Sequence, residues 1–162
     1  MRGMFAVLAG MWLVGCGGAS AEVTGTVGDA TFGDTTFVYM GGPFIVISML
    51  DVECDELDFI RRNYEVGLAP TDADTQVLQF AFDEDTVATG SYPIDIDAAV
   101  ASSVIVVKDG AFYEDIARGG ILTVDAFSDE DSASGTFSEL AFDGGTLSGS
   151  FSADWCRNLK PR

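Results

Sequence analysis

The groups in this chain able to do chemistry are carboxylates and thiols. Of 162 residues, 26 are Asp or Glu, eight are Lys or Arg, and none is His. The lack of imidazole excludes Ser-His-Asp and Cys-His catalysis, His-ligated zinc and imidazole-based pH switching. The acids gather in short clusters: Asp72-Ala73-Asp74, Asp83-Glu84-Asp85, Asp95-Ile96-Asp97 and Asp129-Glu130-Asp131. Each falls at an expected turn or loop, where several oxygens can converge on a hard cation such as calcium. None has EF-hand spacing. Counting from Asp129, Ser134 stands where glycine is needed and Leu140 where a bidentate glutamate is needed. A carboxylate pair also suits glycoside hydrolysis, given the right separation. The plainer reading is that turn acids keep a strand-rich protein soluble and its edges unpaired. On that reading no catalytic residue, metal ligand or cofactor is assigned. Gly17-Gly18 and Gly119-Gly120 are not phosphate loops, since no Gly-Lys-Ser/Thr follows either. The lone basic pair Arg61-Arg62 is expected to salt-bridge to Glu56, Asp58 or Glu65.

The thiols are Cys16, Cys54 and Cys156. Cys16 closes an apolar run, Met4 to Val14, that follows Arg2 and is interrupted only by Gly10. Eleven residues fall far short of the roughly 20 needed to span a bilayer as a helix, and fit a signal-peptide core. The end of the run, Leu13-Val14-Gly15-Cys16, resembles the lipobox of bacterial lipoproteins. That resemblance implies diacylation of the Cys16 sulfur and cleavage between Gly15 and Cys16. It makes the membrane a partner through the lipid on Cys16, since a multiply acylated cysteine holds where one chain is marginal. The best-known sorting rule retains lipoproteins with Asp after the cysteine at the inner membrane. Gly17 stands there, which favours the outer membrane. An ordinary secretory signal cut after Ala19 or Ala21 is the rival, because Ala19-Ser20-Ala21 is itself a small-x-small site. Both readings export the protein.

If Cys16 carries lipid, Cys54 and Cys156 remain as an even pair in an oxidising compartment. One disulfide is expected, with two free buried thiols as the alternative. The bridge would close a loop of about 100 residues and stabilise by roughly 4–5 kcal/mol. Phe151 and Trp155 are expected beside it, with Phe44, Val46 or Leu50.

The formal net charge is −18, which repels nucleic acid and anionic headgroups and favours basic partners or cations. A possible partner is therefore an envelope protein, and nucleic acid is excluded. Residues 1–15 are assigned to the leader, 16–21 to a short polar tether, 22–157 to one folded domain and 158–162 to a polar tail.

The elements that must position these groups read as strands. Phe44 to Leu50 is an apolar run of strand length, expected to be central and covered on both faces. Gln76 to Phe82 places Leu78, Phe80 and Phe82 on one face at period two. Further strands are expected over 22–27, within 31–40, and over 64–68, 86–92, 104–107, 111–116 and 120–127. Residues 94–102 read as loop or a short helix, and 51–63 as one or two helical turns around Cys54. Ser134 to Phe142 and Thr146 to Ala153 form the clearest hairpin, with Asp143-Gly144 suited to a type I′ turn. Gly145 leaves the register open by one residue. Many short strands with turns every 8–12 residues indicate an all-β, single-domain antiparallel β-sandwich, or alternatively a closed β-barrel.

The ending carries a second resemblance. Gly135-Thr136-Phe137, Phe142-Asp143-Gly144-Gly145, Gly149-Ser150-Phe151-Ser152-Ala153 and Cys156 together resemble the C-termini of small β-rich bacterial lipoproteins of unassigned function. This implies fold and address, and no activity. The function expected is a lipid-anchored envelope protein with a non-catalytic interaction or structural role. The alternatives are a carbohydrate-active enzyme using a carboxylate pair and a barrel-type module for an apolar ligand.

Overall fold

A computed structural model of the chain describes residues 18–32, 35, 37–49, 54, 75–84, 87–109 and 111–159. The expected leader, Cys16, Leu50, the helical turns over 51–63 apart from Cys54, the strand over 64–68, Arg61-Arg62 and the 72–74 cluster lie outside these residues.

Eleven strands occur among the described residues: β1 (Ser20–Val27), β2 (Ala30–Thr31), β3 (Phe37–Gly41), β4 (Phe44–Ser48), β5 (Thr75–Phe82), β6 (Gly90–Pro93), β7 (Val100–Lys108), β8 (Ala111–Ile116), β9 (Ile121–Ser128), β10 (Ser132–Phe142) and β11 (Gly145–Trp155). One 3-10 turn, Arg157–Leu159, follows. The protein is all-β, as the strand periodicity predicts.

The strands form a single sheet in the order β6-β9-β10-β11-β3-β4-β5-β7-β8, with β1 on β11 and β2 on β1. Apart from an isolated parallel bridge between Ile94 and Val100, the pairing is antiparallel except where β11 meets β3 in parallel, at Asp154↔Tyr39 and Trp155↔Met40. That short parallel link is a corner. It joins one half (β6, β9, β10, β11, β1 and β2) to the other (β3, β4, β5, β7 and β8). The halves face one another as sandwich layers would, yet belong to one curled sheet left open between β6 and β8. The arrangement is thus neither two separate sheets nor a closed barrel.

Period-two alternation fills the interior. Leu78 and Phe80 of β5, Val100 and Val104 of β7, and Ile45 and Ile47 of β4 are all fully buried in one cluster. Phe137, Leu140, Leu147 and Phe151 come from the opposite half. Phe80 meets Phe137 across the halves with ring centroids 5.6 Å apart. Phe82 meets Tyr92 of β6 edge-on at 5.2 Å. Such tilted aromatic pairs add about 0.5–1.5 kcal/mol beyond the area they bury.

Strand β4 is central and buried along nearly its whole length, as its unbroken apolar run predicts. Its outer-face residue Val46 joins Val77, Cys156 and Leu159 in a second, smaller cluster. Strand β4 is therefore covered on both faces.

Several boundaries differ from expectation for identifiable reasons. β1 begins at Ser20, so 20–21 are ladder residues paired with Ser152 and Phe151 rather than tether. β7 begins at Val100: Val100, Ser102 and Val104 point inward at period two opposite Phe82, Phe80 and Leu78, which overrides the loop-like local composition. Leu159, assigned to a polar tail, is buried beneath the disulfide. Asp143-Gly144 does close the β10–β11 hairpin, with Phe142 opposite Gly145. It is not a type I′ turn, since neither residue has the positive φ that type requires. Gly145 takes φ 152° instead, and a Cβ there would strike the Thr26 carbonyl of β1.

Candidate functional site

Cys54 and Cys156 form the expected disulfide, with Cα atoms 5.6 Å apart and a sequence separation of 102. Cys156 follows β11, and its backbone N–H donates to the Met40 carbonyl at 2.7 Å, which fixes the end of β11 against β3. The bridge packs on Val46, Val77 and Leu159, with Tyr39, Phe44 and Ile105 partly covered around it. The expected neighbours are half right. Phe44 and Val46 are there, whereas Phe151 and Trp155 belong to the main core on the other side of the sheet. The reason is parity: Phe151 and Ala153 share the inward face of β11, while the bridge lies on the outer face of β4 and β5.

The acidic clusters remain dispersed. Asp83 and Glu84, Asp95 and Asp97, and Asp129 to Asp131 are exposed at separate turns and loops. Asp95 accepts the N–H of Ile96 at 2.6 Å, a local turn contact. Among the described residues no three acids or thiols gather as a metal-binding group.

The fold brings together a different set of groups, at the pole formed by the turns after β1, β7 and β10. Asp115 of β8 accepts three hydrogen bonds. These come from the Tyr113 hydroxyl at 3.0 Å, the Asp143 backbone N–H at 2.6 Å and the Ile116 N–H at 2.9 Å. The Asp143 carboxylate in turn takes a bidentate pair from Arg118, both contacts 2.7 Å. The Arg118 N–H donates to Ala141, and Ala141 donates back to Gly119. This network staples β8 and the loop after it to the β10–β11 turn, holding the two halves together at the end away from the corner. Exposed ion pairs contribute little on their own, but the fork geometry and shared partners give this one direction.

Tyr113 titrates above its ordinary value near 10. Partial desolvation, the hydrogen bond to Asp115 and the charges of Asp115 and Asp143 all favour the neutral phenol, and Arg118 opposes them. Beside it opens a cleft of about 430 Å³ whose lining includes Val27, Ala30, Val106, Lys108, Tyr113 and Asp143. Its apolar wall residues Val27, Ala30 and Val106 are each at most 8% exposed, so they offer a ligand little surface. A second depression, about 360 Å³, runs along β8 between Ile96 and Arg118.

Arg118 and Asp115 lie 25 and 28 residues before Asp143 in sequence, with no local signature linking them to it. The one available hint is an aspartate inside a strand, where that residue is disfavoured. No family model, no curated protein and no solved structure matches the chain.

Proposed function

We propose that the protein is an exported, lipid-anchored envelope protein whose β domain acts by interaction rather than catalysis. The observation that carries this reading is the pairing of Cys54 with Cys156. It consumes two of three cysteines and belongs to oxidising compartments. It leaves Cys16 as the odd thiol, directly after Leu13-Val14-Gly15.

The start of β1 adds support. Cleavage before Cys16 or after Ala19 leaves the strand whole, whereas cleavage after Ala21 removes the rungs Ser20↔Ser152 and Ala21↔Phe151, which weighs against that one of the two secretory cuts. The four residue steps from Cys16 to Ser20 reach at most about 14 Å. An acylated Cys16 therefore holds the domain close to the bilayer. Strand β1 rises roughly 23 Å over its length, which carries the pole beyond Val27 away from the lipid. Gly17 rather than Asp after the cysteine favours the outer membrane.

The polar pole supports interaction over chemistry. Asp115 and Asp143 are engaged by backbone N–H groups, Tyr113 and Arg118, and both act as structural acceptors. The packed interior and the low exposure of the cleft's apolar walls weigh against an apolar-ligand module. The test is fractionation with metabolic labelling by a palmitate analogue. Wild-type protein should label and sediment with membranes, and Cys16→Ser should lose label and become soluble. A wild-type protein that is unlabelled and soluble would overturn the anchor.

A further inference from the structure

Among the described residues the sheet has three ends. β2 is two residues long, and β6 is four and finishes at Pro93, which has no N–H to offer. The third, β8, is six residues long and ends the sheet beyond β7. The bond from the Ala117 N–H to the Ser102 carbonyl sets the phase of the β7–β8 ladder. Ala111, Tyr113 and Asp115 turn their backbone groups towards β7, and Phe112, Glu114 and Ile116 turn theirs outward. The Ile116 N–H is taken by Asp115, so the centre of the outward edge is Glu114.

Exposed apolar residues concentrate along this edge. Among the described residues four large hydrophobics are exposed: Ile96, Tyr113, Ile116 and Ile121. Tyr113 and Ile116 are on β8, and Ile96 lines the depression beside it together with Glu114, Asp115 and Arg118. Glu114 is exposed in the middle, with Asp95 and Asp97 flanking Ile96.

We infer that the free edge of β8 docks an extended, basic segment of a protein partner, which adds to the sheet as a further strand. Backbone bonds to Glu114 and Phe112 provide the ladder, as in other strand-addition complexes. A lysine or arginine opposite Glu114 supplies the charge match, and apolar residues on the same face meet Ile116 and Ile96. Charge selects a basic partner over a second copy of this chain. Antiparallel pairing of β8 with itself about Glu114 sets two glutamates opposite, between molecules each of net charge −18. The inference deepens the interaction role proposed above and does not depend on the lipid.

The probe is a fluorescent peptide of repeated Val-Ser-Lys-Ser units, which sets valine and lysine in turn on one face of an extended strand, titrated with the purified full chain in detergent. Its counterpart has glutamate in place of each lysine. Glu114→Pro removes an outward N–H without removing a β7–β8 bond, a place where an edge strand tolerates proline. Glu114→Lys reverses the charge and keeps the N–H, and serves if the proline variant does not fold. Asp129→Lys makes the same charge change at a remote turn. The basic peptide should bind wild type and Asp129→Lys alike, and bind either Glu114 variant roughly tenfold more weakly, about the loss of one or two hydrogen bonds or charge contacts. The acidic peptide should not bind. No binding by folded wild type, or equal loss in Asp129→Lys, overturns the inference. So does a wild-type dimer that Glu114→Pro dissociates, which would give the edge to a second copy. Labelling of Cys16 is unaffected by any of these outcomes, so failure here leaves the anchor standing.

Discussion

At Asp115 one carboxylate ties a strand, its own edge and a distant turn together. The consequence is measurable at Tyr113. Its folded pKa lies above the ordinary value, so the stability it lends is present below that value and is lost as pH rises through the raised one. Phenolate absorbance of wild type minus that of Tyr113→Phe should titrate above 10, and Arg118→Ala should push it higher still. A difference curve centred at or below the ordinary value would contradict the contact with Asp115. The disulfide makes a larger claim. With a sequence separation of 102 between its cysteines, Cys54→Ser should cost about 4–5 kcal/mol in denaturant unfolding on the chain-entropy model. A loss under about 1 kcal/mol would mean that the bridge constrains the unfolded chain far less than that model holds.

Among the strands, packing across the halves decides stability. Phe137 of β10 is 2% exposed and meets Phe80 of β5. Phe137→Ala should cost about 3–5 kcal/mol, and Phe151→Ala, 4% exposed, a similar amount through the main core rather than through the bridge. Thermal or denaturant unfolding of both variants checks this, and a cost below about 1 kcal/mol for either would refute its burial. These strands were legible because Leu78, Phe80 and Phe82, or Leu147, Phe151 and Ala153, repeat at period two or a multiple of it. β4 was legible as a doubly covered strand because its apolar run is unbroken. The first residues of β7 were not, because Ser102 and Ser103 interrupt the apolar pattern and their pairing with Gln79 and Phe80 comes from elsewhere in the chain. The turn type at Asp143-Gly144 is not legible locally, because a distant segment sits against it: a Cβ on Gly144 would press on Gly28, just beyond β1. The Asp115–Asp143–Arg118 network had no sequence signal, since only the curling of the sheet brings β8 to that turn.

For the whole molecule, charge, cysteine pairing and the position of β1 converge on one account. On the proposed reading, a highly acidic β domain stands on a bilayer by a lipid at Cys16, with its far pole and the β8 edge available to a basic partner. The anchor is the central claim, and the mature N-terminus tests it most directly. Mass spectrometry of the N-terminal peptide from membrane-extracted protein should find Cys16 as the first residue, carrying acyl chains on its sulfur. A soluble mature protein beginning at Ser20 or Glu22, after cleavage at Ala19 or Ala21 and without lipid, would contradict it.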